Sequence, residues 1–170
     1  MANPFLLRIS LFFFILFFTL WLKAQDYKGA VGIRFGYGWG LSGKGVLGPN
    51  GHVLEGLIRY GYHGVIFTQP GVNFACLYEK HFDFGRNKNW AFLLGGGPSI
   101  GFGRNGSNRL YTFGFSPILG FDVTARQLPF DFSVDYKPSI FLDRAFGNRN
   151  FHQRTITYYE VALSVRYAIK

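Results

Sequence analysis

One cysteine, Cys76, stands in a chain of 170 residues, so no intramolecular disulfide framework is possible. Charged residues are scarce, at 16%, and only nine are acidic. Past residue 24 no apolar run is long enough to form a spanning helix, which needs about 20 residues. Helix formers in a 3.6-residue pattern, Ala and Glu especially, are sparse. These shortages exclude a disulfide-stapled module, a helical bundle and a helical membrane protein. Glycine (23 residues) and aromatic side chains (20%) are abundant instead. An exported domain of this size without disulfides needs another source of stability, and closing a β-barrel is one.

Residues Phe5 to Leu22 form a nearly continuous apolar run, broken by Arg8, Ser10 and Thr19 and ended by Lys23-Ala24-Gln25. A positive start, an apolar stretch and a small residue at its end read as a secretory signal cleaved at Ala24 or Gln25; the run also borders on the length of a transmembrane helix, so an uncleaved anchor is the alternative. Residues 1–24 are therefore expected to be a signal peptide and 25–170 a single domain. Removing Arg8 and Lys23 leaves 16 basic residues against 9 acidic ones. An exported basic protein seldom meets nucleic acid; anionic lipid headgroups are the expected partners.

Nearly everything after residue 25 alternates. In Phe130-Asp131-Phe132-Ser133-Val134-Asp135-Tyr136-Lys137 every other side chain is apolar and the rest are charged or small. Successive side chains of a β-strand point to opposite faces, so such a stretch has one greasy and one polar face. Seven segments show this pattern: Ala30 to Trp39, Leu54 to Tyr62, Val72 to His81, Trp90 to Phe102, Tyr111 to Arg126, Phe130 to about Leu142, and about Thr155 to Ile169. Gly40 to Gly51 reads as a Gly-rich loop, Pro70-Gly71 as a turn, and 83–89, 104–109 and 143–150 as loops. Bacterial barrels have an even number of strands, eight at the smallest. The stretch His52 to Gln69 is long enough to hold a hairpin near Tyr62-His63-Gly64 that supplies the eighth. The expected fold is all-β: a closed antiparallel up-and-down transmembrane β-barrel of eight strands.

The polar face collects Arg34, Glu55, Arg59, Glu79, Asp122, Arg126, Asp131, Asp135, Lys137, Glu160 and Arg166, five positive and six negative. The other face is Phe, Tyr, Leu, Ile and Val. An eight-stranded cylinder has little interior room. The bulky face would overfill it, whereas small residues and paired charges would not. The polar face is thus expected to line a lumen closed by an ion-pair network, with the rings toward lipid. Trp39, Tyr62, Tyr78, Trp90, Tyr111 and Tyr167 suit interfacial girdles. The remaining basic residues, Lys44, Arg86, Lys88, Arg104, Arg109, Arg144, Arg149 and Arg154, are expected in or beside loops as candidates for contact with anionic glycolipid headgroups.

The pattern resembles the small outer-membrane β-barrels of the OmpX/OmpA-barrel type. It is carried by Lys23-Ala24-Gln25, Val31 to Tyr37, Leu77-Tyr78-Glu79-Lys80-His81, Phe132 to Pro138 and Ala162 to Tyr167. The resemblance implies residence in the outer membrane of a Gram-negative bacterium and insertion by the outer-membrane assembly machinery.

Candidate chemistry is thin. Gly38 to Lys44 has the spacing of a phosphate-binding loop, but Gly45 replaces the Ser/Thr that would hold magnesium and no helix pattern follows. His52, His63, His81 and His152 lack close ligand spacing. Ser164 and His152 would lie roughly 40 Å apart on a continuous strand, too far for one triad. His81 and Glu79 share a face and suit a hydrogen bond in the lumen. No cofactor, metal or catalytic residue is expected. A non-enzymatic barrel with a structural or surface-interaction role leads, ahead of a lipid A-modifying enzyme, a narrow solute channel and a soluble lipocalin-like binder.

Overall fold

A computed structural model describes residues 27–48, 50–61, 69–84, 90–105, 108–125, 128–145, 148–157 and 160–169. Ten strands follow one another: β1 (Gly29–Gly36), β2 (Gly38–Val46), β3 (His52–Gly61), β4 (Gln69–Phe84), β5 (Trp90–Asn105), β6 (Asn108–Thr124), β7 (Phe130–Tyr136), β8 (Ser139–Ala145), β9 (Asn148–Thr157) and β10 (Val161–Ile169). Each described pairing is antiparallel, and β1 closes onto β10 from Gly29↔Ile169 to Phe35↔Leu163. β7 and β8 are two halves of one stave. Both pair with β6, in one continuous register, on either side of Lys137-Pro138. Pro138 has no N–H to donate, and Pro117 lies across from the break on β6, so the ladder lapses there without losing its alignment. β9 and β10 likewise form the last stave. The result is a closed eight-stranded antiparallel barrel.

The eighth stave is not where the sequence pattern places it. It is β2, most of which falls in the stretch expected to be a Gly-rich loop; the hairpin turn expected near Tyr62-His63-Gly64 lies outside the described residues. The outward positions of β2 include Gly43 and Gly45, which have no side chain to display an alternation. The reversal into β2 falls around Tyr37, within what reads as one unbroken strand, because Phe35, Tyr37 and Trp39 keep the apolar rhythm through the turn. Gly38 makes it possible: its φ of 134° lies in a region L side chains rarely adopt. Pro70-Gly71 forms no turn but sits in the first residues of β4, beside a register irregularity between Gln69 and Val72. The expected loops at 104–109 and 143–150 are mostly strand, since β5 and β6 pair out to Asn105↔Asn108 and β8 pairs β9 out to Ala145↔Asn148.

The interior is not uniformly polar. Leu57, Ala75, Leu77, Leu93 and Ile118 form a buried apolar cluster on the β3–β6 wall. Each leucine or isoleucine of that set follows or precedes an outward apolar residue (Ile58, Tyr78, Leu94, Leu119), so the alternation blurs there. The closing seam is tight. A Cβ on Gly32 would lie 2.0 Å from the Val165 carbonyl oxygen, a backbone atom that cannot step aside. At Gly45 nothing lies within 4 Å.

Gly32→Val should therefore cost about 3 kcal/mol or more through backbone displacement at the β1–β10 seam. Unheated gel samples should shift toward the unfolded mobility. Gly45→Val should run as the parent does; equal behaviour of the two variants would contradict this description of the seam.

Candidate functional site: the charged lumen

Strand parity puts the polar residues of the eight staves on the inside, and closure brings them within reach of one another. Arg166 on β10 is the hub. Its Nε donates to Ser42 Oγ (2.5 Å), Nη1 to Ser133 Oγ (2.8 Å) and Asp131 Oδ2 (3.2 Å), and Nη2 to Glu55 Oε1 (2.5 Å). One guanidinium thus joins β10 to β2, β3 and β7. Ser42 also donates to Glu55 Oε1 at 2.5 Å. The fork of five fixed donors suits such a junction, which a lysine could not reproduce.

Toward the Tyr37 turn, Arg34 grips both carboxylate oxygens of Asp135. Beyond it, Lys137 reaches Glu160 at 3.0 Å and Arg59 reaches the same carboxylate at 2.9 Å. A chain of hydroxyls, Ser99 to Ser116 (3.0 Å) to Ser139 (2.7 Å), continues along the wall. Toward the chain termini, Lys44 lies 2.8 Å from Asp122 and 3.5 Å from Glu79. His81 Nε2 sits 2.9 Å from Glu79 Oε2, and its Nδ1 sits 3.5 Å from Asp122. Tyr27, just ahead of β1, lies near this end; burial, then the charges of Asp122 and Asp131, push its hydroxyl well above the usual phenol range.

Ten of the expected lumen residues lie buried inside the barrel: Arg34, Glu55, Arg59, Glu79, Asp122, Asp131, Asp135, Lys137, Glu160 and Arg166. Arg126 lies outside the described residues. Lys44 corrects the expectation that it is a loop residue available to headgroups: it is 4% exposed and points into the lumen from β2. Its parity with Ser42, opposite Trp39 and Leu41, is the signal that would have placed it. Ser42, Ser133 and Ser164 also belong to the network and carry no charge to announce themselves. Of the other loop candidates, Arg104 and Arg109 are exposed at the paired ends of β5 and β6. Arg144 lies on β8 and Arg149 and Arg154 on β9, in strands rather than a 143–150 loop; their side chains fall outside the described set. Arg86 and Lys88 also lie outside it.

Charge is unevenly shared along the lumen. Glu55, Glu79, Asp122 and Asp131 face Lys44 and Arg166 near the terminal end, with His81 beside them. Glu55 Oε2, Glu79 Oε1 and Asp122 Oδ1 meet no donor within hydrogen-bond reach among the described residues. Glu160 Oε1 lies between Arg59, at 2.9 Å, and Lys137, at 3.0 Å, and is held by both as an ion pair. Among the described residues no three His, Cys, Asp or Glu are arranged to hold a metal. Gly38 to Lys44 is extended strand, not a loop opening a helix. His52 stacks on Tyr78 with ring centroids 5.7 Å apart, and Cys76 is exposed on the outer face.

The class the fold and its interior define is a closed eight-stranded β-barrel with a charge-filled lumen. No protein-family model matches the chain, and comparison with curated proteins and with solved structures returns no match.

Removing one member of a buried ion pair costs about 3–5 kcal/mol, because the partner is left charged and buried. Arg166→Met, which strands Glu55 and Asp131, should lose that much in urea unfolding followed in detergent micelles. Glu79→Gln should change stability by less than about 1 kcal/mol, because Lys44 keeps Asp122 and the local excess of carboxylates falls. A larger loss for Glu79→Gln than for Arg166→Met would reverse the assignment of the hub.

Proposed function

We propose that this chain is an integral outer-membrane β-barrel of the OmpX/OmpA-barrel type, exported by its N-terminal leader, with a structural or surface-interaction role rather than an enzymatic one. One observation carries the reading: the faces are inverted relative to a water-soluble protein. Phe113 is 58% exposed and Trp39 57%, whereas Arg34 is 3% and Glu79 0% exposed. Outward rows of Val31, Ile33 and Phe35, of Phe113 and Phe115, of Phe130, Phe132 and Val134, and of Val161 and Leu163 cover the staves. Soluble monomers rarely expose apolar patches beyond a few hundred Å². Immersing one large apolar side chain in hydrocarbon instead of water is worth about 1.5–3 kcal/mol.

A membrane wall also explains the strand ends. Tyr37, Trp39 and Tyr60 cluster near one edge of the apolar band, and Tyr78 and Tyr167 near the other, where rings with a polar handle suit the interface. The lumen is read as closed because Arg166 spans from β10 to β2, β3 and β7, leaving ion pairs where a pore would run.

Cell fractionation tests the membrane assignment. The protein should require detergent for extraction and show heat-modifiable gel mobility; recovery in a detergent-free periplasmic extract would falsify it. Planar bilayers test the closed lumen: inserted protein should be electrically silent, and sustained single-channel steps would show an open path.

A further inference from the structure

Arg104 and Arg109 are direct cross-strand partners at the ends of β5 and β6, and both are exposed. Like charges placed directly opposite on an antiparallel pair destabilise it unless something of opposite sign lies between them. Among the described residues neither guanidinium has an acidic partner. The next two strands continue the same charge. Tyr111, two residues along β6 from Arg109, pairs with Arg144 on β8. Leu142, two residues before Arg144, pairs with Arg154 on β9. Asp143, next to Arg144 in sequence, is the register partner of Thr112, whose side chain is buried inside. Four arginines thus occupy four neighbouring strands, across a width of about 15 Å at the ordinary strand spacing.

Their height is as informative as their charge. Arg104 lies two residues beyond Phe102, and Arg144 two residues beyond Leu142; Phe102 and Leu142 are both exposed members of the apolar band. Arg109 lies two beyond Tyr111, itself two beyond the exposed Phe113. Every second residue of a strand returns to the same face, so Arg104 and Arg109 stand on the outer wall, directly above that band. If the band is in hydrocarbon, Arg104 and Arg109 are at headgroup level, and on the end of the barrel away from the chain termini.

We infer that the exposed pair Arg104 and Arg109 forms a binding row for the phosphate groups of an anionic glycolipid in the outer leaflet. The inference rests on the membrane reading above and adds to it a place, a face and a ligand chemistry. Guanidinium groups bind phosphate oxygens in a two-pronged fashion, and the contact strengthens next to hydrocarbon. A phosphate between Arg104 and Arg109 would also turn a repulsive cross-strand pair into a bridged one.

The test uses the full-length barrel purified in neutral detergent. It is titrated with mixed micelles carrying a bisphosphorylated glycolipid, with the same lipid dephosphorylated, and with inorganic phosphate alone. The control variant is Lys28→Gln, an exposed cation at the opposite end of the barrel. The wild type and Lys28→Gln should bind the phosphorylated lipid alike, with affinity falling as salt is raised. The Arg104→Gln/Arg109→Gln double variant should keep its heat-modifiable mobility and lose about tenfold or more in affinity, the effect of removing hydrogen bonds to a charged group. Unchanged binding by the double variant, or equal binding of the dephosphorylated lipid, would overturn the row. Binding of free phosphate as tight as that of the lipid would overturn the choice of ligand. None of these results touches the membrane assignment, which fails only if the protein needs no detergent.

Discussion

The pairing of β1 with β10 is the constraint on which the rest of this structure depends. Seven registered residue pairs, from Gly29↔Ile169 to Phe35↔Leu163, turn a sheet with two open edges into a ring. Closure satisfies backbone donors and acceptors that would otherwise need water, which is the condition for a sheet to exist in hydrocarbon. It also creates an inside. Arg166 can meet Glu55 and Ser42 only because β10 lies beside β1, and β1 beside β2. The tight fit at Gly32 is the steric counterpart: the seam can close there because Gly32 has no side chain.

The interior that closure creates mixes two chemistries. The β3–β6 wall contributes the apolar cluster of Leu57, Ala75, Leu77, Leu93 and Ile118. The ion pairs run through the lumen beside it, and the same wall supplies Glu55, Arg59, Glu79 and Asp122 to them. Eight staves leave too little room for solvated charge, so the basic residues sit against carboxylates: Arg34 on Asp135, Lys44 on Asp122, Arg59 and Lys137 on Glu160, Arg166 on Glu55 and Asp131. Such pairs contribute modest net stability, but losing one partner is expensive. They act more as a specification of register than as a source of strength, since a slip of one residue would send each charge to the outer face.

Much of this architecture was legible in the residue order, because alternation reports directly on strand faces. The run from Phe130 to Lys137 sits as its pattern demands, with Asp131, Ser133, Asp135 and Lys137 inside and Phe130, Phe132 and Val134 outside. Legibility failed where side chains carry no contrast. β2 was hidden because Gly43 and Gly45 on its outer face and Gly40 on its inner face look like loop, and the Lys44 that it positions was misplaced with it. The turn at Tyr37 was hidden for the opposite reason, because the apolar rhythm runs straight through it. The inner apolar cluster was obscured where Leu57-Ile58 and Leu93-Leu94 put apolar residues on both faces at once. In the charged network, ionisable residues could be named from parity alone. Their partners could not, since Arg34 and Asp135 stand far apart in sequence and are brought together only by the ring.

The position of Arg166 bears on how the chain can reach this state. It lies on the last stave to be synthesised, and it neutralises carboxylates that arrive on the third and seventh. A chain lacking its final stave has Glu55 and Asp131 without their principal cation, and β1 without a neighbour. No incomplete ring is therefore a comfortable resting point. The barrel should form as a single cooperative event, with its C-terminal strand acting as the latch.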